Sequence, residues 1–421
     1  MKKLQKLLFG VAFTLAVAAV GAQTSKTFSA TSGTFKTDVD NFMDVNNWST
    51  VNPKNLFACS GLYSTGLDLG FAKQFHNKKN NFYLGAYYNG NLWGDTTSES
   101  DKNGDNKTNT DNADNEFDAF FGFGLWGIKL STSFSNNKTV KTVTTTTTTN
   151  DYSDFSIGLS AGTTLKTKKM DLTPYASINF YNNGYKEIVE SDSPTETTDN
   201  SVGTLSFNLG TGIPLKSNKT IKQALNIPLT LSFNTYPKYY KEGNNHSTTI
   251  EESNFTLNFE PSYFVETKPA DNVSVNAKAT LPIYFSTFHK GNTESVLNGT
   301  TTKTEGDYTF NKFTLYPRLN AGLQYTVKPE KFIINFGLGV SLPSFTLSVE
   351  EDKKSDPTTK KTNTKTNNAS TLVTSGFTYF FTKNICADTY MSILSTSDSG
   401  VKTSLSTIWT SSLYFGLSVK Y

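Results

Sequence analysis

The chain has 421 residues, of which 36% are hydrophobic, and its formal net charge is +3 at pH 7. This small imbalance excludes the strongly basic surface with which proteins bind nucleic acid. Its two cysteines are too few for a disulfide framework in a chain of this length. After the N-terminal segment, no apolar run approaches the roughly 20 residues that a membrane-spanning helix needs.

The first segment has the three parts of a secretory signal peptide. A basic start with three lysines is followed by the apolar stretch from Leu7 to Val20, and small residues then precede Gln23. This order predicts a cleaved signal peptide over residues 1–22, with an uncleaved membrane anchor as the alternative. Removing the three lysines lowers the formal net charge of the mature chain from +3 to zero.

Residues 23–60 form an N-terminal segment with two open interpretations. A first strand lies within Thr27 to Cys59, or the segment folds as a plug inside the strands that follow. Cys59 ends this segment, and the second cysteine is Cys386. A single bridge between them is the alternative to two separate thiols, which we predict.

Residues 61–421 repeat one pattern, in which apolar and polar side chains alternate with the period of two that β-strands have. Clear examples run over 205–215, 225–233, 273–283, 313–324 and 332–340. The polar positions hold mostly Gly, Ser, Thr, Asn and Tyr, whereas the solvent face of a soluble sandwich would be richer in Lys and Glu. Helical periodicity is nearly absent, so the sequence predicts an all-β chain of about 14–16 strands.

The connections between these strands alternate in length. Short, lysine-rich ones cover 76–80, 166–169, 216–222, 328–331 and 382–384, and long polar ones cover 94–115, 136–151, 183–201, 237–252, 287–307 and 350–370. Several long ones have the composition of disordered segments. The alternation predicts a transmembrane antiparallel up-and-down β-barrel over 61–421, with short periplasmic turns and long extracellular loops. Closure follows from hydrogen bonding, because lipid offers no partner to an unpaired backbone group.

Aromatic residues near the predicted strand ends fit the girdles that barrels place at the two membrane interfaces. They are Tyr87, Tyr88, Trp93, Phe180, Tyr181, Tyr236, Tyr263, Tyr325, Tyr379 and Trp409.

The last strand alternates almost without interruption from Trp409 to Tyr421 and ends on an aromatic residue. The pattern Gly416-x-x-Val419-x-Tyr421 resembles the C-terminal assembly signal of bacterial outer-membrane β-barrel proteins. The lysine- and asparagine-rich composition is similar to that of the large surface barrels of spirochaetes. This resemblance implies the bacterial outer membrane as the location, and lipids and the barrel-assembly machinery as partners.

Charged residues on the lumen face of the predicted strands are the candidate site. By alternation, six of them point inward: Asp68, Lys129, Glu260, Lys278, Arg318 and Asp388. Rings of such charges tune the selectivity of a pore. The alternative is that they form ion pairs that hold the wall or a plug.

The sequence offers no convincing catalytic, cofactor or metal site. Gly122 to Gly127 matches GxGxxG, but a strand pattern follows it where a nucleotide-binding fold needs a helix. His76, His246 and His289 are scattered over predicted turns and loops, whereas a zinc site needs closely organised ligands. We therefore predict a non-enzymatic protein without cofactors.

These features predict a porin-like pore for passive diffusion of small hydrophilic solutes, with no nucleic-acid partner and no evident homo-oligomer. One alternative is a plugged transporter of hydrophobic solutes. Asn52-Pro-Lys-Asn-Leu56 resembles the NPAxL element of outer-membrane fatty-acid transporters, although the glycine-rich stretch that precedes it in that family is absent. The other alternative is a surface-exposed structural or adhesive barrel, whose function would lie in its extracellular loops.

Overall fold

The computed structural model consists of β-strands joined by turns. Within its described residues, no helix is long and apolar enough to cross a bilayer. The description covers residues 56–60, 67–76, 81–90, 95–100, 106–143, 145–167, 171–190, 195–218, 220–236, 238–242, 246–304, 306, 308–329, 331–352, 358–366, 369–382, 385–396 and 413–420.

The first half of the chain contains the longest strands, together with four short segments. The segments are β1 Leu56–Ser60, β2 Leu67–His76, β3 Asn81–Gly90, β4 Asp95–Ser100, β5 Asn106–Phe123, β6 Trp126–Val143, β7 Thr146–Thr163, β8 Leu165–Lys166, β9 Asp171–Glu190, β10 Glu196–Ser217, β11 Ile221–Thr235 and β12 Lys238–Glu242.

The second half contains shorter segments that continue one another. They are β13 His246–Phe259, β14 Ser262–Ala270, β15 Val273–Thr280, β16 Ile283–Leu297, β17 Thr300–Thr304, β18 Tyr308–Leu315, β19 Arg318–Lys328, β20 Phe332–Ser341, β21 Ser344–Asp352, β22 Thr358–Thr366, β23 Ser370–Thr382, β24 Ile385–Thr396 and β25 Leu413–Lys420.

Consecutive segments join into longer wall strands, and each wall strand pairs antiparallel with the next. The joined segments are β3–β4, β11–β12, β13–β14, β15–β16, β17–β18–β19, β20–β21 and β22–β23, whereas β8 is a two-residue addition to β9. Within the described part of the chain this gives sixteen wall strands, an even number inside the predicted range.

The sheet closes between its first and last strands. Phe57 of β1 stands in register with Phe71 of β2 on one side and with Val419 of β25 on the other. Every wall strand therefore has two hydrogen-bonded neighbours, which is the condition for a sheet to cross lipid. The chain is an antiparallel up-and-down β-barrel, as the sequence predicts.

The two faces of the barrel differ as the period of two requires. Large apolar side chains on the outward face are exposed, among them Phe134 (58%), Leu159 (50%) and Leu209 (50%). On β6 the outward positions from Trp126 to Phe134 are apolar except for Thr132, and this span matches the roughly 9–11 residues that a tilted strand needs to cross a bilayer. Polar side chains are buried on the opposite, lumen face: Asp118, Ser262, Ser274, Asn276, Ser286 and Thr374.

Four adjacent wall strands are interrupted at the same level, each at a proline: Pro261, Pro282, Pro317 and Pro343. Proline has no N–H to give to the sheet, so it breaks the regular ladder. Its carbonyl still accepts: Leu281 N–H donates to Pro261 O (3.0 Å) and Leu342 N–H donates to Pro317 O (2.9 Å). These four prolines form a belt across one side of the barrel, which we call the proline belt.

The six long connections are built mainly as extensions of the wall strands, and not as the solvated loops that their composition predicts. β6 and β7 pair from Trp126–Thr163 up to Val143–Thr146, and β9 and β10 have 20 and 22 residues. Backbone pairing needs no apolar side chain, so it continues where the outward apolar band has ended. The tight turn between β5 and β6 lies at Gly124-Leu125, where Gly124 has a φ of +59°.

Candidate functional site

The lumen face brings together polar residues from strands that are far apart in sequence. Antiparallel register aligns one residue of each strand into lateral rows around the barrel. One such row runs from Phe120 through Lys129, Ser160 and Ser177 to Asn208. The geometry of the site therefore depends on register, which the alternation pattern alone does not supply.

Glu260 and Arg318, two of the six predicted lumen charges, form an ion pair. Arg318 Nη2 donates to Glu260 Oε2 at 2.9 Å, and Asn258 Nδ2 donates to Glu260 Oε1 at 2.9 Å. Glu260 precedes Pro261 and Arg318 follows Pro317, so the pair connects two strands of the proline belt. Its side chains remain 29% and 39% exposed, which leaves both accessible to a solute in the lumen.

Lys129 pairs with an acid that the candidate set does not include. Its Nζ lies 3.5 Å from Oδ2 of Asp118, whose side chain is fully buried. Phe117 and Phe121 mark the outward face of β5, so alternation alone would have placed Asp118 on the lumen face. Tyr87, predicted for an aromatic girdle, stands in register with Asp118 and is 1% exposed, which corrects that prediction.

The remaining three candidates lie on β2, β15 and β24. Lys278 on β15 stands in register with Phe264 and Asn320. Asp68 on β2 stands in register with Asn89, and Asp388 on β24 with Thr378. The selectivity role of all six residues stays a prediction.

The C-terminal assembly residues belong to the closing strand. Gly416 stands in register with Ser60 of β1 and Val419 with Phe57 of the same strand, whereas Tyr421 lies outside the described residues. The assembly role of this strand likewise stays a prediction.

Between the two ion pairs lies a part of the lumen wall that sequence reasoning did not single out. It consists of the alternate, lumen-facing residues over 173–183 of β9, 204–212 of β10, 226–234 of β11 and 254–258 of β13, and we call it the neutral strip. These positions carry Asn, Ser, Thr, Tyr, Gly and one Pro, and among them there is no charged residue. Alternation could have identified this composition, but only register shows that the four strands are neighbours.

A row of glycines next to the strip leaves room for two tyrosine rings. Gly122, Gly127 and Gly162 are lateral neighbours, with Tyr83 at one end of the row and Tyr175 at the other. A Cβ added at Gly210 would lie 2.5 Å from Cζ and Oη of Tyr175, so this ring covers Gly210. Tyr175 is therefore held flat against the wall on the lumen side.

Among the described residues, no three His, Cys, Asp or Glu side chains gather in a way that could hold a metal ion. The lumen offers hydrogen-bonding groups and two balanced ion pairs, and the outward band fits a lipid bilayer. The fold is a closed antiparallel β-barrel with an apolar outer face and a polar lumen.

Comparison with known proteins gave matches among solved structures alone, since no family model and no curated protein matches the chain. It is similar to the toluene transporter TbuX of Ralstonia pickettii, with 10% identity, a TM-score of 0.39, and 91% of this chain and 92% of that one covered. It is also similar to the CymD monoaromatic hydrocarbon channel, with 10% identity, a TM-score of 0.38, and 96% and 98% covered.

A third similar structure is longer than this protein. It is the ferric yersiniabactin uptake receptor of Yersinia pestis, with 9% identity, a TM-score of 0.38 and 87% of this chain covered. The match covers 65% of the receptor.

Proposed function

We propose that this protein is a porin-like pore through which small hydrophilic solutes diffuse passively across the outer membrane. The observation that carries the proposal is the contrast between its two faces, apolar outside and rich in amides and hydroxyls inside. A hydrophilic solute loses little free energy on entering such a lumen, because groups of the wall replace the hydrogen bonds that it made with water. Barrels of 16–18 strands leave room for an aqueous channel.

The lumen charges support weak ion selectivity. Glu260 is balanced by Arg318 and Asp118 by Lys129, so neither pair gives its part of the wall a net charge. Rings of unbalanced charge are what make a pore strongly selective. We therefore expect no strong ion preference to arise at these two pairs in the wild-type protein.

Planar-bilayer recording of the refolded mature protein, residues 23–421, tests the proposal. We expect stable steps of ohmic current. Arg318→Met should shift the reversal potential toward cation preference, because Glu260 then stays in the lumen without its partner, whereas Arg318→Lys keeps the charge and should not.

A correctly folded barrel that passes no current would contradict the open pore. Deleting residues 23–55 leaves β1 in the wall, so current that appears only after this deletion would identify these residues as a plug. If neither the mature protein nor the deletion variant passes current, the result would favour a surface-exposed structural barrel.

A further inference from the structure

The neutral strip differs from the lumen on either side of it. Asp154 of β7 lies beside its β9 edge and accepts a hydrogen bond from Asn183 of the strip, whereas Lys129 and Asp118 lie two and three strands away from β9. Glu260 and Arg318 lie beside its β13 edge. Between these two edges, four neighbouring strands present uncharged polar side chains to the lumen at successive levels. Within the strip itself a solute meets uncharged hydrogen-bonding groups, with Asp154 and Glu260 at its two edges.

Side-chain hydrogen bonds order the groups of the strip. In the central row, Asn208 Nδ2 donates to Ser177 Oγ (2.8 Å) and Thr230 Oγ1 donates to Asn208 Oδ1 (2.6 Å). In the next row, the hydroxyls of Ser206 and Ser232 are 2.7 Å apart. Groups held in this way cost less entropy to use than free side chains, because their rotamers are already fixed.

The strip also contains acceptors that the fold does not use. The Oδ1 atoms of Asn234, Asn254 and Asn258 are buried and accept no hydrogen bond within the described structure. Asn234 and Asn254 face each other in register on β11 and β13. A buried acceptor without a donor costs about 1–3 kcal/mol, and a solute recovers this free energy only if these side chains turn toward the lumen.

Tyr175 adds an apolar surface at one end of the strip. Its ring covers Gly210, and its neighbour along β9 on the same face is Ser177. An aromatic face beside amides and hydroxyls suits a ring-shaped solute that has C–H groups on its faces and O–H groups on its edge.

We propose that the neutral strip binds uncharged, polyhydroxylated solutes of the saccharide class as they cross the lumen, an inference that rests on the proposed pore function. The strip itself carries no charge, so an ion finds charged partners only at its edges, on Asp154, Glu260 and Arg318. A hydrocarbon would remove water from amides and hydroxyls without replacing their hydrogen bonds. A saccharide both donates and accepts, and it can place one ring face on Tyr175.

The test uses a linear glucose trisaccharide as the probe and a polyethylene glycol of equal hydrodynamic size as the control for steric exclusion. In planar bilayers, the trisaccharide should reduce the ion current of the wild-type protein at concentrations where the polyethylene glycol has little effect. Calorimetric titration of the refolded protein with the same trisaccharide gives a second readout that needs no current.

Two variants locate the effect on the strip. Tyr175→Leu removes the aromatic face and Asn208→Ala removes the centre of the hydrogen-bonded row. Each should raise the half-blocking concentration by about tenfold, which corresponds to about 1.4 kcal/mol. The matched controls are Tyr83→Leu, whose ring lies at the other end of the glycine row, and Asn320→Ala on β19, and both should behave as wild type.

The outcomes separate this inference from the pore itself. Steady current with equal block by the trisaccharide and the polyethylene glycol would overturn the strip as a saccharide site and leave the pore intact. Binding that is unchanged by both strip variants would also overturn it. A protein without current that still binds the trisaccharide through Tyr175 would overturn the open pore and support the strip.

Discussion

At the scale of single residues, the buried carboxylate of Asp118 gives a prediction about the stability of the folded protein. It is fully buried, its two oxygens accept no hydrogen bond among the described residues, and Lys129 Nζ is the cation beside it. Removing the cation from a buried pair leaves an uncompensated charge, at a cost of about 3–5 kcal/mol. We expect Lys129→Met to lower the free energy of unfolding by this amount, measured by urea titration in lipid vesicles.

The matched comparison removes both charges. Asp118→Asn combined with Lys129→Met should recover most of the lost stability, because no buried carboxylate is then left alone. A loss below about 1 kcal/mol for Lys129→Met alone would show that Asp118 does not depend on this partner.

Single-residue features were predictable from sequence to the extent that alternation decides them. Lys129 and Arg318 could be placed on the lumen face, since each is flanked by outward apolar residues. Which acid each of them contacts could not be predicted, because the contact between Arg318 and Glu260 depends on the register of three wall strands. Tyr87 was misplaced for a related reason: aromatic residues near strand ends occupy either face.

Gly210 gives a prediction at the scale of one strand. A Cβ there would overlap the ring of Tyr175, which lies 2.5 Å away, so the ring or the strand must move. We expect Gly210→Ala to lower the free energy of unfolding by about 1–3 kcal/mol, as overpacking does. The same urea titration measures it.

Gly203→Ala on the same strand is the control, because its added Cβ would meet only Thr235 Oγ1, at 3.1 Å. Equal effects of the two substitutions would mean that strand propensity, and not the Tyr175 ring, explains the loss at Gly210.

The sequence predicted which segments form strands, but it did not predict how long the strands are. Period two identified β10, β11 and β19, because lipid and lumen demand opposite side chains on their two faces. It failed above the membrane, where β6 and β7 continue as Thr- and Asn-rich pairs with water on both sides. The proline belt was hidden as well, since Pro261, Pro282 and Pro317 are far apart in sequence and align only through register.

At the scale of the whole molecule, closure is the property on which the lumen depends. β1 has five residues and pairs over its full length with both β2 and β25. The sequence left open a first strand within Thr27 to Cys59 or a plug, and the structure has a wall strand at Leu56–Ser60, at the end of that segment. Its exact position was not predictable, because five residues are too few for periodicity to stand out.

The most direct test of the account is a disulfide cross-link between the first and last strands. In a Cys59→Ala, Cys386→Ala background, Ala58→Cys and Ser418→Cys stand in register and should cross-link on oxidation in the folded barrel. Ala58→Cys with Gly416→Cys is two residues out of register and should not cross-link. A failure of the in-register pair, or equal yields from both pairs, in protein that is otherwise folded would contradict closure between β1 and β25, and with it the enclosed lumen.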